Sequence, residues 1–169
     1  IVGDEPFAVL LPDMLSRGCM QQMLSAYERH GGNIIAVEEV APEDTHQYGI
    51  VSVGETYGQS FQITGMVEKP KQGTAPSNFI ISGRYILQPE IFGILEHGKK
   101  GAGGEIQLTD AMIDLMEKQD FFGMHLDGRT YDTGSKIGFL TAHLPYALER
   151  QYLAGPLKAE IAKLLQSHG

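Results

Sequence analysis

Three hydropathy patterns divide the first forty residues, and each predicts a different element. Phe7-Ala8-Val9-Leu10-Leu11 is a continuous apolar run closed by Pro12, the pattern of a strand buried on both faces, as in parallel sheets. From Ser16 to Arg29, the residues Cys19, Met20, Met23, Leu24 and Tyr27 recur at three- and four-residue steps until Gly31 and Gly32 stop them. That spacing predicts an amphipathic helix. Asn33 to Val40 returns to strand character through Ile34, Ile35 and Val37. Strand, helix and strand in this order make a βαβ unit, so an α/β fold with parallel strands is expected.

The middle of the chain changes style. Gly49 to Val53 and Phe61 to Val67 are strand-like runs joined by Gly54-Glu55-Thr56-Tyr57-Gly58-Gln59, a turn-rich connection suited to an antiparallel hairpin. The sheet is therefore expected to be mixed. A polar loop from Pro70 to Pro76 precedes a strand from Asn78 to Ile86 and a short helix from Pro89 to Leu95, with proline in its first turn. Beyond the glycine-rich loop Gly98 to Gly104, a helix from Ile106 or Thr109 to Lys118 and a strand from Phe121 to Leu126 are expected. Ser135 suits the N-cap of a helix through Ile137, Phe139, Leu140 and Leu144 that Pro145 ends or kinks. A last helix is expected from Pro156 to Gln166. No repeat, low-complexity tract or dividing linker appears, so residues 1–169 read as a single domain.

Composition narrows the class. The chain has 169 residues, 42% hydrophobic, and 13 Lys+Arg against 21 Asp+Glu give a formal charge of −8. A soluble domain of this size can bury a core without staples. Cys19 is the lone cysteine and, set in the apolar face of the first helix, reads as a buried inert thiol. No apolar run approaches the roughly 20 residues that a membrane span needs. The acidic balance, without a basic stripe or tryptophan, argues against a nucleic-acid ligand. The six histidines show no metal-ligand spacing, which makes zinc unexpected.

In open α/β sheets ligands gather outside the carboxyl ends of strands. Three polar positions fall there: Asp13, the pair Glu68-Lys69, and Asp132. Two carboxylates and a lysine at one crevice suit a magnesium ion that keeps several waters and is shared with substrate phosphates. Each position also has a plainer reading. An aspartate after a strand often forms a turn or caps a helix, and Glu68-Lys69 alone is an ordinary exposed pair. The loop Gly98-Lys99-Lys100-Gly101-Ala102-Gly103-Gly104 fails the Walker pattern, because its lysines precede the glycines. No Gly-x-Ser-x-Gly elbow or Gly-x-Gly-x-x-Gly fingerprint appears.

Five segments together resemble the bacterial UTP-glucose-1-phosphate uridylyltransferases. They are Leu10-Leu11-Pro12-Asp13-Met14-Leu15, Gln47-Tyr48-Gly49-Ile50-Val51, Val67-Glu68-Lys69-Pro70, Gly103-Gly104-Glu105-Ile106-Gln107-Leu108-Thr109-Asp110-Ala111 and Tyr131-Asp132-Thr133-Gly134-Ser135-Lys136-Ile137-Gly138. The resemblance implies a nucleotide-diphospho-sugar transferase fold, a Rossmann-like mixed sheet flanked by helices. It also implies synthesis of UDP-glucose and pyrophosphate from UTP and α-D-glucose 1-phosphate in the cytoplasm, by a homo-oligomer, dimer or tetramer, that uses Mg2+. By the same resemblance Asp13 is a magnesium ligand and Asp132 a second metal-side carboxylate. Gly49 offers its backbone amide to the sugar, Glu68 accepts sugar hydroxyls, and Lys69 meets the sugar phosphate. Gly83 and the Glu105 to Asp110 stretch wall and support the sugar pocket. Other readings are a thymidylyltransferase-type enzyme, which shares the Glu-Lys-Pro feature, and a non-catalytic sugar-phosphate-binding fragment.

The departure from the family lies at the beginning, where the glycine-rich nucleotide loop and the uracil-reading segment are not found. The expectation is a chain that keeps much of the sugar side and lacks most of the UTP side, with the Phe7 to Leu11 run short of a neighbour. Glu68 and Lys69 are adjacent, and neighbours on a strand point to opposite faces. Only a strand end lets both reach one ligand, and Pro70 supplies that end.

Overall fold

The computed structural model describes residues 2–97 and 106–167. The chain forms two compact units, one from residues 1–11 and 18–128 and the other from residues 12–17 and 129–169.

The first unit is a mixed six-stranded sheet with helices on both faces. Its strands are β1 (Phe7–Leu10), β3 (Asn33–Glu39), β4 (Gly49–Tyr57), β5 (Ser60–Glu68), β6 (Phe79–Leu87) and β7 (Phe121–His125). β2 (Met14–Leu15), a short strand, belongs to the second unit. The spatial order is β1-β6-β3-β7-β5-β4. β1 and β3 both run antiparallel to β6, which lies between them, and β3 runs parallel to β7. The expected parallel relation of the first two strands is therefore present, with an antiparallel strand inserted.

Alternation along β3 explains how one strand serves two cores. Ile34 and Ala36 face α1 (Cys19–His30), meeting its Cys19, Met23 and Ala26. Ile35 and Val37 face the other way, into a cluster with Ile91 of α2 (Ile91–Glu96) and Ala111, Met112 and Leu115 of α3 (Leu108–Met116). Successive strand residues point to opposite faces, so this run is buried at every position from Asn33 to Val37. Cys19 is buried, as its place in the periodic face indicated.

The same expectation fails for β1. Phe7 and Val9 pack on the cluster shared with α2 and α3, but Leu10 is 51% exposed. β1 is an edge strand, paired with β6 alone among the described residues, and only one of its faces is covered.

The hairpin also differs from expectation. β4 continues through the supposed turn to Tyr57, and the reversal takes only Gly58, at φ 70°, and Gln59. Gly54 and Glu55 instead stand opposite Gln62 alone, a bulge between the pairs Val53↔Ile63 and Thr56↔Phe61. At the hairpin tip, His30 Nε2 lies 2.8 Å from Ser60 Oγ and its ring stacks on Phe122 at 4.5 Å. Burial, and secondarily the Arg29 charge, lower its pKa from the ordinary 6.5.

The second unit contains β2 (Met14–Leu15), β8 (Tyr131–Asp132), α4 (Lys136–Leu148) and α5 (Gln151–Ser167). β2 and β8 form a two-residue antiparallel ladder, Met14↔Asp132 and Leu15↔Tyr131. Ser135 caps α4 as expected, accepting from the Gly138 amide at 3.1 Å. Pro145 does not end that helix, which continues to Leu148. α5 begins five positions before Pro156 and carries it inside. No helix among the described residues is long and apolar enough to cross a membrane.

Candidate functional site

The candidate residues fall into two groups, one in each unit. In the first unit, Gly49 opens β4 and Glu68 closes β5, and the two are register partners. A Cβ on residue 49 would sit 3.0 Å from Glu68 Oε2 and 3.1 Å from Ile81 Cδ1. Glycine is what leaves room for the carboxylate. The same Oε2 accepts a hydrogen bond from Thr109 Oγ1 at 2.8 Å.

Lys69 follows directly. Among the described residues it is the one non-glycine with positive φ, 44°, a conformation that disfavours a side chain carrying Cβ. Its amide still donates to the Tyr48 carbonyl at 3.1 Å, so the ladder is extended while the chain turns out of the strand. Pro70 comes next and is buried. The strand end inferred from the adjacency of Glu68 and Lys69 is therefore present, and its means is a left-handed residue. The Lys69 side chain is exposed.

Gly83 lies at a distortion of β6. Between the pairs Ile35↔Tyr85 and Val37↔Ile81, Ala36 stands opposite Ser82, Gly83 and Arg84. Gly83 has φ 73°, and a Cβ there would press on the Leu11 side chain at 3.1 to 3.3 Å. Its carbonyl accepts from the Leu11 amide at 2.9 Å. Buried Arg84 donates from Nη1 to the Leu11 carbonyl at 2.7 Å. Sequence reasoning passes over Arg84, although a cation inside an otherwise apolar strand run is the available signal. Gly83 thus closes the end of β1, and no hydrogen bond among the described residues joins it to Glu68.

In the second unit, the Asp13 carbonyl accepts from the Thr133 amide at 2.6 Å and from Thr133 Oγ1 at 2.8 Å. The Gly134 amide donates to Asp132 Oδ1 at 2.8 Å. A Cβ on residue 134 would lie 3.1 Å from Asp132 Oδ1 and 3.5 Å from Asp13 Oδ2. Both carboxylates thus lie against one glycine. Beside it is a cleft of 440 Å³ lined by Thr133, Gly134, Ser135, Lys136, Phe139 and Leu140. A Cβ on Gly138 would collide with the Asp132 carbonyl oxygen, so this helix turn packs tightly under the aspartate. The ladder β2-β8, which unites Asp13 with Asp132, is too short to leave a hydropathy pattern.

Among the described residues no group of three or more His, Cys, Asp or Glu gathers as a metal cage. An oxygen-only pair of carboxylates suits a hard cation that keeps waters and takes its remaining ligands from phosphate. The loop Gly98 to Gly104 and Glu105 lie outside the described residues.

Residues 1–149 match the nucleotidyl transferase family. The chain belongs to that family. It is 44% identical over 166 residues to a UTP-glucose-1-phosphate uridylyltransferase of Staphylococcus epidermidis, a match covering 96% of this chain and 58% of the relative. The nucleotidyl transferase fold is likewise similar to a UDP-glucose pyrophosphorylase crystallised with UDP-glucose, at TM-score 0.82 and 40% identity, over 88% of this chain and 58% of that one. A glucose-1-phosphate thymidylyltransferase structure from Bacillus anthracis, at 20% identity and TM-score 0.66, covers 83% of this chain and 54% of that one, and shares the fold alone. The chain thus spans somewhat over half the length of the uridylyltransferase relative it matches.

Proposed function

We propose that this chain carries the sugar-phosphate side of a uridylyltransferase that converts UTP and α-D-glucose 1-phosphate into UDP-glucose and pyrophosphate, as part of one catalytic domain. The observation that carries the reading is the strand end where Gly49, Glu68 and Lys69 follow one another in space, combined with the similarity to uridylyltransferases. In this reading the Gly49 amide and the Glu68 carboxylate bind sugar hydroxyls, and the Lys69 ammonium meets the sugar phosphate. An oxygen of that phosphate attacks the α-phosphorus of UTP, a new P–O bond forms, and the bond to the bridging oxygen breaks as pyrophosphate leaves. Such transfers depend on positioning and charge neutralisation more than on covalent help. Lys69 contributes a fixed positive charge on a turn rather than on a strand face.

Asp13 and Asp132 are the residues that would hold Mg2+, and the bound ion would supply neutralisation of phosphate charge. The net charge of −8 makes such a counter-charge useful to an anionic substrate. The cytoplasm, where nucleotide sugars are built from UTP, is the setting this chemistry suits. Assembly into a homo-oligomer fits the apolar side chains that α5 leaves exposed, Tyr152 at 74% and Leu165 at 71%.

Calorimetric titration with glucose 1-phosphate tests the sugar side. Lys69→Ala should weaken binding by about tenfold or more, since a charge-assisted contact contributes about 1.5–3 kcal/mol. Unchanged affinity would remove Lys69 from the site. Pyrophosphate release with UTP but not dTTP, from the chain in its full-length setting, is the expected base preference, and equal use of both would return the thymidylyltransferase reading.

A further inference from the structure

Thr109 is the second residue of α3 and only 8% exposed. Its neighbours Ala111, Met112 and Leu115 anchor that helix in the core cluster that also holds Val51, Phe61 and Ile63 of the hairpin. The Thr109 hydroxyl therefore approaches Glu68 from a helix tied to the same core as the strands. It donates to Oε2 at 2.8 Å, and the bare Cα of Gly49 lies against that same oxygen. Among the described residues Oε1 accepts no hydrogen bond.

We propose that Thr109 is a positioning residue that sets sugar specificity: by occupying Oε2 of Glu68 it fixes the carboxylate plane and leaves Oε1 as the acceptor for one sugar hydroxyl. The inference rests on the reading of Glu68 as the hydroxyl acceptor. A carboxylate that turns freely about its last torsion accepts from hydroxyls in several places, because that torsion is broad and roughly two-fold. One held at a single oxygen offers lone pairs in one direction, and a misplaced epimeric hydroxyl leaves a polar group without a partner. Sites that read a hydroxyl by hydrogen bonding discriminate for this reason. A threonine suits the task, since its branched Cβ restricts χ1 to few rotamers and its neutral donor leaves the carboxylate charge in place.

The test compares glucose 1-phosphate with galactose 1-phosphate, titrated calorimetrically into the chain and its variants Thr109→Val, Thr109→Ser and Glu68→Gln, with thermal melts confirming that each is folded. Thr109→Val keeps the shape and removes the donor; it should lower the glucose-over-galactose preference by about tenfold. Thr109→Ser should restore the preference, which a merely structural role for the threonine methyl would not. If Thr109→Val keeps the wild-type preference while Glu68→Gln loses it, the positioning role is overturned and the reading of Glu68 survives. If Glu68→Gln also keeps the preference, or the wild type has none, the reading of Glu68 falls and takes the inference with it. A loss in Thr109→Val that serine does not repair overturns the proposal as well.

Discussion

Glu68 and Asp132 each end a strand and each lie against a glycine, Gly49 for the first and Gly134 for the second, but they are held by different means. Glu68 closes a nine-residue strand paired along its length with β4, over side chains as buried as Val51 at 0% and Ile63 at 3%. Asp132 closes a two-residue ladder. Among the described residues of the second unit only Ala142 is buried. The first carboxylate is positioned by a core, the second by a local hydrogen bond from the Gly134 amide. Local stability follows buried apolar contact, so the second group is the one whose geometry yields first.

Removing core volume should separate the two most strongly. Met112→Ala, at a fully buried position of α3, should cost about 3 kcal/mol in urea unfolding of the first unit. Leu165→Ala in α5, where the side chain is 71% exposed, should stay within about 0.5 kcal/mol. Equal losses would abolish the contrast.

A smaller effect sharpens it on the chemical side. Asp13→Asn removes a formal charge and should weaken Mn2+ binding, read from water-proton relaxation, by about tenfold, or about 1.4 kcal/mol. Affinity for glucose 1-phosphate without metal should not change. A parallel loss in both titrations would mean that the two groups do not act separately.

The smallest expected effect is a pH slope belonging to the first unit. The folded state lowers the His30 pKa, through burial first and Arg29 second, so folding favours the neutral ring. Its contribution is present above the unfolded value of 6.5 and is lost as pH falls through the folded value. Melting temperature should therefore decline below about pH 6.5, and His30→Gln should flatten that part of the profile. An unchanged profile in the variant would assign the slope to other groups.

Sequence periodicity is enough for α1, α3 and the alternating burial of β3, because each is governed by one dominant face or pair of faces. It misleads at β1, since an apolar run reports hydrophobicity and not whether anything covers both sides. Gly54 has the chemistry of a turn but serves a bulge, and the two demands use the same residue. Proline suggests a break or a start in α4 and α5, yet both helices carry it inside. At the candidate site, Asp13, Glu68, Lys69 and Asp132 are all legible as polar groups following strands. Their supports are not, because Thr109 meets Glu68 across 41 positions and Thr133 meets Asp13 across 120. Contacts that distant leave no local trace in a single chain.

The left-handed backbone at Lys69 has a consequence for how this position can vary. A non-glycine residue there costs on the order of 1 kcal/mol or more, so the substitution Lys69→Gly would relax the turn and stabilise the fold. It would also remove the ammonium that the turn presents. If Lys69 meets the sugar phosphate as proposed, selection for thermal resistance and selection for phosphate affinity pull in opposite directions at this one residue. A variant library sorted on heat tolerance alone should enrich Lys69→Gly, and under the proposed role of Lys69 those folded chains should bind glucose 1-phosphate about tenfold more weakly.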